Sequence, residues 1–534
     1  MRPGIERLDA TPEELEALVE QARPVLDEAG YQKLKAAIRT LGYVTALLED
    51  QQTTLQSLRN LLCWAQTEKT SAVLKRAGMA TDKPPAVPKT KAPGQGRHSA
   101  NAYRAAHKVQ VSHASLKAGD SCPECQRGKV YHQREPGVLV RLIGRAPIEA
   151  TVYELEKLRC NLCGEVFTAK APDEAGDEKY DVTVGSMIAI LRYGSGFPMH
   201  RLERLEDSLG VPLPASIQWE IVCAIAVRIE PAFDELIRQA AQGDVLHNDD
   251  TSMPVLSLRR EIDDEAAETE RTGIFTSGIV STREGRKIAL FFTGRQHAGE
   301  NLRDVLAERA AAMKPPIQMC DALARNWTKM PETLEVIVSH CLAHARRRFV
   351  EVTPNFPDAC RYVLEALGEI YHHDELARQY RLSPEERLLF HQQHSAPVMD
   401  QLHQWLTAQL EEKKVEPNSG LGGAISYLLN HWQRLTLFLR QADAPVDNNI
   451  CERALKKAIL HRKNSLFYLT ENGAKVGDLF MSLIHTAELC RANPFNYLTQ
   501  LQRHAEELKE NPTYWMPWNY CDTLQRAGAA INSG

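Results

Sequence analysis

At 534 residues, 43% of them hydrophobic and 25% charged, the chain is long enough for two to four domains with sizeable cores. It contains no run of eighteen apolar residues, and its first twenty residues lack the apolar core of a signal peptide. The expectation is therefore a cytoplasmic protein without a membrane partner, whose 12 cysteines stay reduced. A net charge of -5 and a pI near 6.4 give the whole chain no general attraction for nucleic acid, so any such role must come from local charge.

After an N-terminal segment (residues 1–30), leucine recurs every seventh residue at Leu34, Leu41, Leu48, Leu55 and Leu62. Four heptad steps without proline predict a coiled coil over residues 31–66, and with it a homodimer or higher oligomer. The plainer alternative is an amphipathic helix packed on its own protein, because Gly42 and Gln51 weaken the seam. Residues 67–118 read as a basic linker. From Lys75 to Lys117 there are nine Lys or Arg against one acid, Asp82, and Arg97, Arg104 and Lys108 are candidates for lying along DNA phosphates.

Two CxxC pairs follow, Cys122 with Cys125 and Cys160 with Cys163. Four thiolates close a tetrahedral site, so residues 119–170 are predicted to form a ribbon around one structural Zn²⁺. The residues between the pairs carry the β-branched alternation of short strands. A complete ligand set of this kind folds a module and leaves catalysis to other residues. Residues 171–242 have a helical pattern, including two segments across a Gly- and Pro-bearing turn, and read as a DNA-binding or connecting region.

From residue 243 the texture changes. Three β-rich runs, a helix, a strand ending at Asp321, and a strand passing into a helix occupy residues 243–350. Three strands, then helix and strand in alternation, is the element order of an RNase H-like α/β core, a mixed sheet flanked by helices. In such a sheet the first and fourth strands are neighbours, which brings Asp249 or Asp250 close to Asp321. Carboxylates suit hard cations, and two ions about 3.5–4 Å apart can stabilise both the attacking and the leaving oxygen of a phosphoryl displacement. Strand parity places Asp249 and Asp250 on opposite faces without saying which face is the site.

Two aspartates are too few for two ions, and a third acid is expected from a later helix. Residues 351–445 read as an all-helical insertion, in which His372, His373, His391 and His394 are taken as solvated. Residues 446–500 then return to the core. At roughly 100° per residue from Ile450, the apolar stripe of the helix centres at about 90° and Glu452 falls at about 200°, on its border. Arg453, Lys456 and Lys457 lie on the opposite face. Asp447 or Asn448 is the expected helix cap. Residues 501–534 form a C-terminal tail whose aromatic stretch "PTYWMPWNY" reads as a strap packed on the core.

The stretches "HNDDT", "CLAHARRRF" and "DNNICERALKKAILHRKNSLF" resemble the DDE transposases of the insertion-sequence-66 family, over nearly the whole chain from about Leu34 onward. The resemblance implies Asp249, Asp321 and Glu452 as the catalytic, metal-binding triad, with two Mg²⁺ or Mn²⁺ per site. Asp250 stands where the family usually carries Glu. Arg453, Lys456, Lys457, Arg462 and Lys463 are then the residues expected to follow DNA. The implied activity is cutting at insertion-sequence ends and joining of 3′ hydroxyls to target DNA, in a bacterial cytoplasm and on its nucleoid, with small accessory proteins of the same element as further partners. Cys341 and His344 resemble the Cys-x-x-His motif of many such enzymes and are read as structural. Two rival functions share most of these residues: a metal-dependent nuclease or resolvase that joins nothing, and a zinc-bearing DNA-binding regulator with an inactive core. The absence of a GxxxxGK[ST] phosphate loop fits a joining reaction that needs no nucleotide.

Overall fold

The computed structural model describes residues 18–20, 23, 27–37, 68–79, 108–132, 138–143, 145–163, 165–176, 178–264, 272–327 and 334–532. The expected coiled coil lies outside these residues beyond position 37, as do Arg97 and Arg104 of the linker. The chain divides into two compact units, Met1–Thr81 with Thr353–Pro357, and Asp82–Val352 with Asp358–Gly534. In the first unit, helix α1 (Thr70–Arg76) is described, and Tyr31 Oη and Lys35 Nζ both donate to Glu20 Oε1, at 2.5 and 2.6 Å.

The second unit begins with the cysteine module. Each CxxC pair sits in a tight knuckle: Cys122 N–H donates to Gly128 O at 2.8 Å, and Cys160 N–H donates to Glu165 O at 2.8 Å. Strands β1 (Lys157–Arg159) and β2 (Val166–Thr168) pair antiparallel around the second knuckle. Around the first knuckle the pairing is limited to an antiparallel bridge between Ser121 and Lys129, and the described residues 138–143 and 145–156 carry no strand of the predicted ribbon. Val138, Leu139, Leu142, Ile143 and Val152 are exposed, while Ile148 is buried in the main core, so the segment has little core of its own to hold strands together.

Helix α2 (Met199–Ser208) leads through a turn at Gly210 into the 27-residue helix α3 (Ala215–Ala241). Val222, Ile229, Ala232 and Leu236 of α3 are fully buried in the same core as the sheet, so this helix is a structural spine of the unit. The central sheet follows. Strands β3 (Val245–Ser252), β4 (Phe275–Arg283), β5 (Arg286–Gly294), β6 (Ile317–Cys320) and β7 (Ile337–His340) are arranged in the order β5-β4-β3-β6-β7. Strands β5, β4 and β3 form an antiparallel meander, and β6 and β7 extend it in parallel from β3. The mixed sheet expected from the sequence is therefore present. One addition is helix α4 (Leu256–Asp264) between β3 and β4, absent from the element order expected from the sequence.

Local chemistry explains the meander. The β4–β5 turn has Glu284 at φ 51° and Gly285 at φ 79°, the pair of positive angles that a two-residue hairpin turn requires to match strand twist. The free edge of β5 is covered by helix α11 (Glu471–Leu489), which follows helix α10 (Asn449–Ser465). Edge N–H groups of Ala289, Phe291 and Thr293 donate to Thr486 Oγ1, Ser482 Oγ and Asp478 Oδ2, at 3.0, 2.9 and 2.6 Å. Four helix residues rise about 6 Å and two strand residues about 6.8 Å, so the two rows of partners stay nearly in step. An edge that would otherwise invite another strand is closed in this way.

After β6 and β7, helices α6 (Leu342–Val352), α7 (Pro357–Gln379), α8 (Pro384–Glu411) and α9 (Gly420–Asn430) form the expected helical stretch before α10. Here the histidine expectation is corrected in part. His372 and His394 are exposed and His373 half-buried, but His391 is buried, with Nδ1 2.9 Å from Ser395 Oγ and Nε2 3.5 Å from Asp374. Arg387 joins the same carboxylate at 2.8 Å and donates to Ala444 O at 3.1 Å, so Asp374 gathers α7, α8 and the chain leading to α10. The C-terminal strap packs as read, with Trp515, Met516 and Tyr520 buried in the main core. Among the described residues no helix is long and apolar enough to cross a membrane.

Candidate active site

Central strand β3 carries Asp249, and its neighbour β6 ends one residue before Asp321. The two carboxylates meet at one side chain: Asn326 Nδ2 donates to Asp249 Oδ1 at 3.3 Å and makes a shorter hydrogen bond to Asp321 Oδ1. Asp321 and Asn326 are buried and Asp249 is half-buried. Burial, followed by the neighbouring charges of Asp321, Asp250 and Glu452, pushes the Asp249 carboxyl up to about 7, against the hydrogen bond from the Asp250 N–H.

Asp250 belongs to the other face. Its side chain is 1% exposed, with Oδ2 2.9 Å from His297 Nδ1 and Oδ1 3.5 Å from Arg325. His297 is held where helix α5 (Ala298–Leu306) begins, its own N–H donating to Glu300 Oε2 at 3.0 Å. Asp249 thus shares a face with Asp321, whereas buried Asp250 is engaged by His297 and Arg325.

Helix Asn449–Ser465 crosses the Asp249 face. Gly278 is directly opposite Asp249 on β4, and a Cβ there would lie 2.9 Å from the Leu455 side chain, so glycine is what lets this helix seat on the sheet. Cys451 Sγ donates to Gly278 O at 3.2 Å. Asn448, at the helix start, does not cap with its side chain. It donates through Nδ2 to Asn248 O at 3.1 Å and places Oδ1 3.1 Å from His247 Nδ1, tying the helix to β3. Asp447, one residue before the cap position, accepts from Asn449 N–H at 3.0 Å. Burial lowers the His247 pKa to about 4, so this contact is made by a neutral ring at neutral pH.

Glu452 is half-buried on the border of the helix stripe, and its Oε1 is a buried atom with no hydrogen-bond partner. It also faces His344, at 3.9 Å. Cys341, His344 and Glu452 are the one group of three or more potential metal ligands among the described residues, with ligand atoms within 4.8 Å of one another. Cys341 itself is buried, accepts a hydrogen bond from Asn448 N–H at 3.2 Å and has its thiol pushed up to about 12 by burial, so it is a neutral packing group at neutral pH.

The remaining predicted residues divide clearly. Arg453, Lys456, Lys463 and Lys108 are exposed. Lys457 is engaged by Gly194 O at 3.3 Å and Glu488 at 3.0 Å, and Arg462 by Thr251 Oγ1 at 3.1 Å and Ser252 Oγ at 2.7 Å, so both have protein partners in place of open solvent. Among the described residues the Cys122/Cys125 and Cys160/Cys163 knuckles form separately and do not gather into one four-sulfur group; of the apolar side chains between them Ile148 is buried, in the main core, whereas Val138, Leu139, Leu142, Ile143 and Val152 are exposed. Within the first knuckle, hydrogen bonds from the Arg127 and Gly128 backbones and from Cys122 hold the Cys125 thiol below its usual range.

Sequence reasoning gave no role to Gly278, Asn326, His297 or Arg325. An isolated glycine in the β-branched run "TSGIVS" was the available signal for the first.

The family model described as "Transposase IS66 family" matches residues 179–476, more than half of the chain and the whole of this site. Among curated proteins, the chain is 26% identical over 394 residues to uncharacterized protein y4hP of Sinorhizobium fredii (strain NBRC 101917 / NGR234), covering 70% of this chain and 68% of that one. It is 27% identical over 379 residues to uncharacterized protein y4jD of the same organism, covering 68% and 70%. The match spans β3, β6 and the helix that carries Glu452: the chain belongs to the IS66 family of transposases.

Proposed function

We propose that the chain is a DNA transposase that cuts at insertion-sequence ends and joins the freed 3′ hydroxyls to target DNA, with Asp249, Asp321 and Glu452 as its metal-binding acids. The observation that carries this reading is the convergence of Asp249 and Asp321 on a single amide, with Glu452, whose Oε1 is buried without a hydrogen bond, on the helix seated against the same face. The donor set fits Mg²⁺ or Mn²⁺: buried oxygens, one carboxyl raised to about 7 by burial and like charges, and no thiolate between them. When bound, two such cations would stabilise the attacking and leaving oxygens of an in-line displacement at phosphorus. Asp249 and Asp321 hold oxygens in place from the rigid sheet, Asn448 and Gly278 fix the height and position of Glu452, and exposed Arg453, Lys456 and Lys463 face outward where a phosphate backbone would pass.

The strand order supports an RNase H-like core, with residues 351–445 as the insertion between its parts. The two knuckles have zinc-ligand chemistry, and a single Zn²⁺ would require them to be brought together. Pairing through the N-terminal leucine repeat would place two catalytic chains on two element ends.

The reading is tested with purified protein, element-end DNA and Mg²⁺. Nicked ends followed by joined products support a transposase. Nicks without joining would assign a nuclease, and DNA binding indifferent to both Mg²⁺ and Asp321→Asn would assign a regulator.

A further inference from the structure

Asn326 occupies an unusual position for a residue outside the three acids. It is fully buried, and its backbone is pinned at three points: its N–H donates to Leu323 O at 2.9 Å, and its carbonyl accepts from Asn248 Nδ2 at 2.7 Å and Gln318 Nε2 at 2.8 Å. Its side-chain Nδ2 bridges Asp249 and Asp321, while its Oδ1 is buried with no hydrogen-bond partner. The protein donors on these acids converge on the same two atoms, since Asp249 Oδ1 also accepts from Asp250 N–H at 2.8 Å and Asp321 Oδ1 from Leu323 N–H at 3.1 Å.

Resting on the metal-site reading above, we propose that Asn326 is a fourth residue of the metal centre, with two orientations. With the carboxylates alone, its amide N–H group lies between them and takes the place of a positive charge. With a divalent cation between them, the amide turns over about its last side-chain bond and presents Oδ1 as a ligand. The two halves of a carboxamide have nearly the same shape, so the turn needs no repacking. It also leaves one amide atom unpaired on the far side in either state, because Oδ1 has no partner there now. The orientations therefore differ in what faces the acids, a donor suited to two anions or a carbonyl oxygen suited to a hard cation. The pinned backbone holds the side chain at this point in both.

The test is Mn²⁺ binding by the full chain, measured by titration calorimetry and by electron paramagnetic resonance of the free ion, for wild type, Asn326→Ala and Asp321→Asn. The expected result is a Kd raised about tenfold or more in Asn326→Ala, the scale on which supporting residues of metal sites act. Its melting temperature in EDTA should also be lower than that of wild type, because the acids lose their shared donor. Unchanged Mn²⁺ affinity in a folded Asn326→Ala protein would reduce Asn326 to a clamp and overturn the inference. If Asp321→Asn binds Mn²⁺ as well as wild type does, the metal-site reading itself fails, which is a different outcome. Should Asn326→Ala not fold, a wild-type crystal soaked in Mn²⁺ decides the matter. The ion should lie about 2.0–2.6 Å from the Asn326 side-chain oxygen, as hard cations do, and an ion held by Asp249 and Asp321 alone overturns the proposal.

Discussion

Two adjacent aspartates on β3 have opposite environments, and that difference makes separable predictions. Asp250 is buried and contacts His297 and Arg325, so Asp250→Asn, which removes the negative charge and one of the two acceptor oxygens, should cost about 1–3 kcal/mol of stability while leaving Mn²⁺ binding in place. Asp249→Asn should do the reverse, abolishing Mn²⁺ binding while raising the melting temperature in EDTA, because it removes one of several like charges. Thermal melts with and without Mn²⁺ check both. The pH dependence has a definite sign. Asp249 and fully buried Asp478 both titrate at about 7, each chiefly because burial disfavours the carboxylate. An unfolded aspartate titrates near about 4, so the folded protein holds extra protons between the two values. In EDTA, stability should therefore be highest below about pH 4 as far as these groups are concerned, and should fall as the pH rises through about 7. Melts from pH 5 to pH 8 in EDTA test this, and Asp249→Asn should show a shallower decline.

At the scale of elements, the helix Asn449–Ser465 is the part on which the site depends, and Gly278 is the contact that sets its height. Gly278→Ala would drive a methyl group into Leu455, so it should cost about 1–3 kcal/mol by overpacking and shift Glu452 away from Asp249. Activity should fall further than stability, a split read by comparing melting temperature with the cleavage rate. Much of this element was legible in advance. The alternation of β3, β4 and β5, the strand ending at Asp321, and the border position of Glu452 are local patterns, and periodicity reports such patterns well. Tertiary contacts were not legible. Parity could separate Asp249 from Asp250 but could not choose between them, because helices cover both faces of the sheet and the two are distinguished by tertiary contacts, Asn326 for Asp249 and His297 and Arg325 for Asp250. The burial of His391 likewise depends on Asp374, on another helix, and the engagement of Lys457 and Arg462 depends on Glu488 and the end of β3.

Across the whole molecule, the pattern is a rigid α/β sheet with acids drawn from positions 249, 321 and 452, the last separated from the others by a helical stretch whose ion-pair centre at Asp374 holds its exit at Ala444. Folding brings Asp249 and Asp321 onto one amide, although each alone reads as an ordinary carboxylate in sequence. The cysteine module shows the converse: its CxxC motifs are plain in sequence, yet spacing alone did not reveal that the segment between them would leave Val138, Leu139, Leu142, Ile143 and Val152 exposed. The central claim is that the three acids form one metal-dependent site for DNA cutting and joining. Its most direct test is the rate of nicking at element-end DNA in Mg²⁺ for Glu452→Gln beside wild type. The account predicts a loss of at least about 100-fold with DNA binding retained, since even supporting residues of metal sites reach that scale. A Glu452→Gln protein that nicks and joins at the wild-type rate would contradict it.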